Sequence, residues 1–320
     1  MGMISAGASA IMMALSLQAP PQHADPAAAP PTQLRSIIVD GRRLEEAARA
    51  YVEQVGEPPR GTRLARWSRP VCVSMTNMQP RFAQFVIDRI AANTLDAGAD
   101  VGGPGCRPNV IILATMDGPA LARRLVDEAG LGFRPAINHT NLTRDALANF
   151  QNSDAPVRWW NVVMPVTTDT GDIAIALRGD SVVDGGKFRM IQVRDGSRIR
   201  SNIRYDMAWT IVIIDMNRTN GVPLGVLADY VSMVSLAQVD AEADLTGQDT
   251  VMNLFEDPAA VDSLTQWDKD YLAALYATPP DRVGTAQQEG AVVRTLTRQR
   301  RADDEAARTP VVDLPGENGR

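Results

Sequence analysis

Apolar residues recur near helical spacing over residues 37–55, where Ile38, Leu44, Ala47, Ala48 and Tyr51 predict one helix, and Pro58-Pro59 stops it. Residues 71–76 read as a strand. Gln79-Pro80 opens a second helix with Phe82, Phe85, Val86, Ile90 and Leu95 as its apolar positions, ending near Gly98. A loop at 101–105, a strand at 110–114 and a helix at 119–128 closed by Gly130 follow. Strand and helix alternating in this way predict an α/β unit.

The next section reads as more β-like. Residues 159–167 are rich in β-branched and aromatic side chains, 173–177 alternate, and 188–193 follow a Gly185-Gly186 turn. Residues 208–215 form the strongest strand signal in the chain. A long apolar helix runs from Pro223, which suits a first helical turn, to about Gln238, and a last helix covers 265–276. The pattern predicts an α/β (α+β) fold in which a mixed sheet packs against helices, with one main domain at 35–280. From 281 to 320 apolar residues are sparse, which predicts a mobile polar tail, since a helix at 291–307 would be marginal alone.

The first 19 residues carry no charged side chain and are too short to span a bilayer comfortably. Small residues and a Pro/Ala segment come next, so residues 1–24 read as a signal peptide, cleaved around Ala19 or Ala24, and 25–34 as a linker. The expected address is periplasmic or secreted, with no stable membrane span in the mature chain. In an oxidising compartment Cys72 and Cys106 are expected to pair, closing a loop of about 34 residues and contributing about 3–4 kcal/mol.

Charge and rare residues narrow the chemistry. Thirty-two basic against 38 acidic side chains give a net charge of −6, which implies no basic face for nucleic acid. Two histidines, His23 and His139, lie far from the apolar helix. Gly179-Asp180-Ser181 has no histidine downstream to act as its base, so it reads as a turn, and Lys187 and Lys269 read as surface residues. Gly102-Gly103-Pro104-Gly105 lacks the lysine of a phosphate-binding loop. Asn138-His139-Thr140 and Asn141-Leu142-Thr143 match the glycosylation pattern. Asp240, Glu242, Asp244, Asp249, Glu256 and Asp257 cluster after the helix without calcium-loop order, which favours a solvated acidic loop. Trp159-Trp160 offers either a ring on the outer face as a stacking platform or half-burial at a sheet edge. No cofactor is implied.

The strand-then-helix pair at 208–238 resembles the metal-bearing region of metzincins. Against H-E-x-x-H-x-x-G-x-x-H, the ligand positions hold Ala228, Ser232 and Gln238, the general-base position Asp229, and the glycine position Ser235. Thr250-Val251-Met252-Asn253 resembles a Met-turn, and Leu264-Thr265-Gln266-Trp267-Asp268 with Leu272, Leu275 and Tyr276 resembles the closing helix of matrixins. Over roughly 65–280 the chain also resembles a group of uncharacterised exported bacterial proteins sharing a Leu-Ala-Asp-Tyr helix and a Leu-Thr-x-x-Asp helix. The resemblance implies a zincin-like scaffold without a metal site, and a non-catalytic binding or structural role toward an unidentified protein or envelope ligand. Gly225, Ala228, Ser232 and Ser235 form a stripe of small side chains suited to close packing. The alternative is a zinc-free hydrolase using Asp229 with a nearby loop carboxylate, although pairing of Asp229 with an arginine or a cap is favoured.

Overall fold

The computed structural model describes residues 41–56, 58, 62–135, 142–176, 191–193 and 198–308. The leader at 1–24, the linker at 25–34, both histidines, the 179–181 block, Lys187 and the asparagines of both glycosylation patterns lie outside them. In chain order the elements are α1 (Gly41–Val55), β1 (Val73–Thr76), α2 (Pro80–Asp96), β2 (Val110–Thr115), α3 (Gly118–Phe133), α4 (Arg144–Asn152) and β3 (Val157–Thr167). Then come β4 (Ala174–Ala176), β5 (Ile191–Val193), β6 (Ile203–Asp215), α5 (Leu224–Leu236), a 3-10 helix (Val251–Phe255), α6 (Gln266–Ala277) and α7 (Thr285–Arg308).

One four-stranded mixed sheet, in the order β1-β2-β6-β3, packs against these helices as an α+β domain. β1, β2 and β6 are parallel, while β3 runs antiparallel to β6 at the edge, with a register shift between Val162 and Val163. β4 and β5 form a separate parallel pair, joined to the end of β3 by a Val166–Ile173 bridge. Alternation along the strands sends side chains to two cores. Ile112, Trp159, Val212 and Ile214 enter the larger one with α2, α5 and α6, whereas Trp160, Val162 and Ile213 meet Phe133 and Phe150 of α3 and α4.

Local chemistry sets the helix ends. Asp117 caps α3 by accepting from Ala120 N at 2.9 Å, and Thr143 caps α4 by accepting from Ala146 N at 3.0 Å. The second of these helices was not anticipated, because only Leu147 and Phe150 mark its apolar side. α3 runs past the expected end at 128 through a kink at Ala129. Cys72 and Cys106 form a disulfide with Cα atoms 6.1 Å apart. Gly102 sits against it, where an added Cβ would come 2.8 Å from Cys106 Sγ.

The mobile tail expected from 281 is corrected over residues 285–308. They form α7, which packs against α1 and α6 and buries Gln288, Ala291, Val292, Val293 and Leu296. Those apolar positions recur at helical spacing inside a strongly charged segment, so low average hydropathy concealed a real face. Gln288 Nε2 donates to Leu64 O at 3.0 Å, and the Arg300 guanidinium lies 4.0 Å over the Trp267 ring. A helix marginal in isolation is stabilised here by tertiary burial.

Candidate functional site

α5 is buried along nearly its whole length, so what its polar side chains do is set by what packs on each face. The stripe of small residues meets α2. Phe85 Cζ lies 4.0 Å from where a Cβ on Gly225 would be, and Asn93 Nδ2 donates to Ser232 Oγ at 2.8 Å. Ser232 Oγ in turn donates to Ala228 O at 2.8 Å. The arginine partner of Asp229 is Arg89, whose Nε and Nη2 donate to Oδ1 and Oδ2, each at 2.7 Å. Asn93 Nδ2 also donates to Oδ1 at 2.7 Å, and Leu264 N to Oδ2 at 3.3 Å. The carboxylate bond holds Arg89 above its ordinary pKa despite opposition from burial. Asp229 is thus a junction between α2, α5 and the approach to α6.

The remaining positions drawn from the resemblance do not converge. Ala228 offers no donor atom, and Gln238 Oε1 accepts from Ala65 N at 2.9 Å. Ser235 is fully buried and its Oγ has no partner among the described residues, while its carbonyl accepts from Trp67 Nε1 at 2.7 Å. Met252 lies in the 3-10 helix, which packs against α5. That turn is locked by Asp268. Its Oδ1 accepts from Tyr51 and Thr250 hydroxyls, both at 2.6 Å, and its Oδ2 from Val251 N at 2.7 Å. Thr265 and Asp268 also form the capping box of α6, so the Leu-Thr-x-x-Asp pattern is an architectural joint. Burial, then the neighbouring Asp268 charge, pushes the Tyr51 hydroxyl far above its usual range.

Tyr230 falls about 200° around α5 from Ala228 and therefore on the opposite side of the helix from the small stripe. There it lines a cavity of about 510 Å³ running beside β3. Residues 157–161 form the floor, α4 one wall, and the 238–246 loop with the 3-10 helix the other. No described strand pairs with this half of β3 on the side away from β6. Trp159, Tyr230 and Phe255 meet edge to face, with ring centroids 6.1 and 5.1 Å apart in sequence. Trp159 Nε1 donates to Val239 O at 3.2 Å and tethers the loop wall. Asn161 Nδ2 donates to Val234 O and Ala237 O at 3.1 and 3.3 Å, closing the end of α5.

The groove is acidic. Asp240, Glu242, Asp244 and Glu256 line it, and none forms an ion pair among the described residues. Hydrogen bonds from Thr246 hold Asp244 below the usual carboxylate range. Among the described residues Arg158 is the lone cation in the lining; its Nη1 donates to Phe150 O and its Nη2 to Ser153 O and Ala155 O, while the buried Nε has no described partner. Burial pushes Tyr230 up strongly, with Glu256 adding to it. Asp249 and Asp257 are not in the lining, so only part of the acidic loop faces this space.

Both rings of the Trp159-Trp160 pair are buried, one on each face of β3, because helices or loops cover both sides of the edge strand. Trp159 lines the groove from within instead of standing outside it. The pairing of Tyr230 with Phe255 was missed: the two residues belong to separate elements and carry no shared motif. Among the described residues no group of three His, Cys, Asp or Glu side chains is placed to hold a metal, and no helix is long and apolar enough to cross a membrane. Comparison of the chain with protein families, curated proteins and solved structures gives no match.

Proposed function

We propose that this chain is an exported, non-catalytic binding protein on a zincin-like scaffold, and that its ligand is an extended polypeptide segment received beside β3. The observation carrying the reading is a groove whose floor is a strand edge that no described strand pairs with. Such an edge presents N–H and C=O groups that a second strand satisfies, while side-chain pockets supply selectivity. The scaffold reading draws support from the succession of β6, α5, a Met252-bearing turn packed on α5, and α6. The non-catalytic reading draws support from the donor set: Ala228 has no ligating atom, and the oxygens at 229, 232 and 238 accept hydrogen bonds within the protein. Asp229 lies outside the groove lining and is bound to Arg89, which supports the non-catalytic reading over a carboxylate-based hydrolase. Export is supported by the disulfide.

The test is amide hydrogen exchange on the full chain with and without an excess of mixed extended peptides. Slowed exchange concentrated at residues 157–162 supports the reading. Protection elsewhere, or none at any concentration, removes it. Stoichiometric zinc in the purified protein together with peptide cleavage would overturn the non-catalytic part, and recovery of the chain in the cytoplasm with free thiols would overturn export.

A further inference from the structure

We infer that the groove selects a cationic side chain, lysine or arginine, on the polypeptide it receives, seating it against Trp159, Tyr230 and Phe255 beneath the carboxylates of the rim. The inference rests on the groove reading above and adds the chemistry of the bound residue.

Two oxygens in the groove lining, open to water, call for a donor from whatever displaces that water. Tyr230 is 6% exposed and Asn161 7%, both line the groove, and neither the Tyr230 hydroxyl nor Asn161 Oδ1 has a hydrogen-bond partner among the described residues. An amide oxygen only accepts, so it needs an N–H or O–H from what fills the space. An apolar occupant would strand these oxygens at a cost of about 1–3 kcal/mol each. An anion would meet Asp240, Glu242, Asp244 and Glu256, while Arg158, the one cation in the described lining, has both terminal nitrogens bound to backbone carbonyls. A lysine ammonium or arginine guanidinium carries three or five donors and no acceptor. It also gains from the negative faces of aromatic rings, most where water is excluded. Donor supply, charge and ring chemistry therefore converge on one class of side chain.

The experiment uses four mixtures of N-acetylated pentapeptide amides whose outer four positions are randomised among Ala, Ser, Thr and Val. The central residue is lysine, arginine, norleucine or glutamate, and binding to the full chain is read by calorimetry. Lysine and arginine mixtures are expected to bind about tenfold more tightly than norleucine, with glutamate weakest and the contrast shrinking as salt rises. Glu256→Gln and Tyr230→Phe should each lower the lysine-to-norleucine affinity ratio. Equal affinity of the norleucine and lysine mixtures overturns cation selection and leaves the groove reading standing. Lysine amide alone binding as tightly as the lysine mixture overturns the polypeptide reading and leaves cation selection standing. Failure of every mixture to bind overturns both.

Discussion

Removing one partner from the Arg89–Asp229 pair should separate an architectural carboxylate from a catalytic one. The Asp229 side chain is 1% exposed and Arg89 44%, so the two ends of the pair differ in what they lose. Arg89→Met leaves a buried charge with only Asn93 and Leu264 N as partners. Breaking a buried pair in this way costs about 3–5 kcal/mol, and the two surviving bonds hold the expected loss to about 3. Asp229→Asn instead removes the charge and frees Arg89 to turn toward water, at a cost of about 2 kcal/mol in hydrogen bonds. The double variant should also lose about 3 kcal/mol instead of 5, a coupling of about 2 kcal/mol. Urea unfolding with the disulfide intact reads all four species, since midpoint and slope together give the free energy. Additivity to within about 0.5 kcal/mol would refute the clamp between α2 and α5. Loss of peptide binding in Asp229→Asn at unchanged stability would refute its placement outside the groove.

Replacing Cys72 and Cys106 by alanine should cost about 3–4 kcal/mol, from the entropy of the loop closed across a separation of 34 residues; urea midpoints check this. Leu296→Ala, at a fully buried position of α7, should cost about 2–5 kcal/mol, whereas an unstructured tail would show no change in thermal midpoint. Tyr51, Tyr230, Tyr271 and Tyr276 all have raised pKa values, chiefly from burial. The folded state keeps protons that the unfolded state releases near the ordinary value of 10.0, so stability falls as pH rises through that point. In an alkaline absorbance titration these four tyrosines should ionise together with unfolding, and full ionisation while the far-ultraviolet circular dichroism stays native would contradict their burial.

Periodicity made most of the framework legible. The apolar runs at 110–114 and 208–215 announced β2 and β6, and Pro223 announced α5, because each signal is local. The order β1-β2-β6-β3 and the reversal of β3 were not readable, since strand neighbours are chosen by long-range pairing. α7 was hidden because Val292 and Leu296 are diluted by arginine, aspartate and glutamate, and only contact with α1 and α6 reveals their face. The groove suffered the same fate in another form. Trp159 was singled out by type, but Tyr230 lies in a run of buried residues, and Phe255 follows a turn whose geometry Asp268 sets from a later helix. Asp229 stood out as a polar residue on an apolar helix, yet its partner Arg89 carries no sequence mark that ties the two together.

Because α7 closes over α1, the earliest and latest described helices complete one another. A chain still being synthesised therefore leaves one side of α1 without its final cover until α7 arrives. Long-separation contacts of this kind delay commitment to the native state. Sealing of the larger core therefore waits on residues 285–308, and a chain cut short before them would keep the α7-facing side of α1 open to solvent.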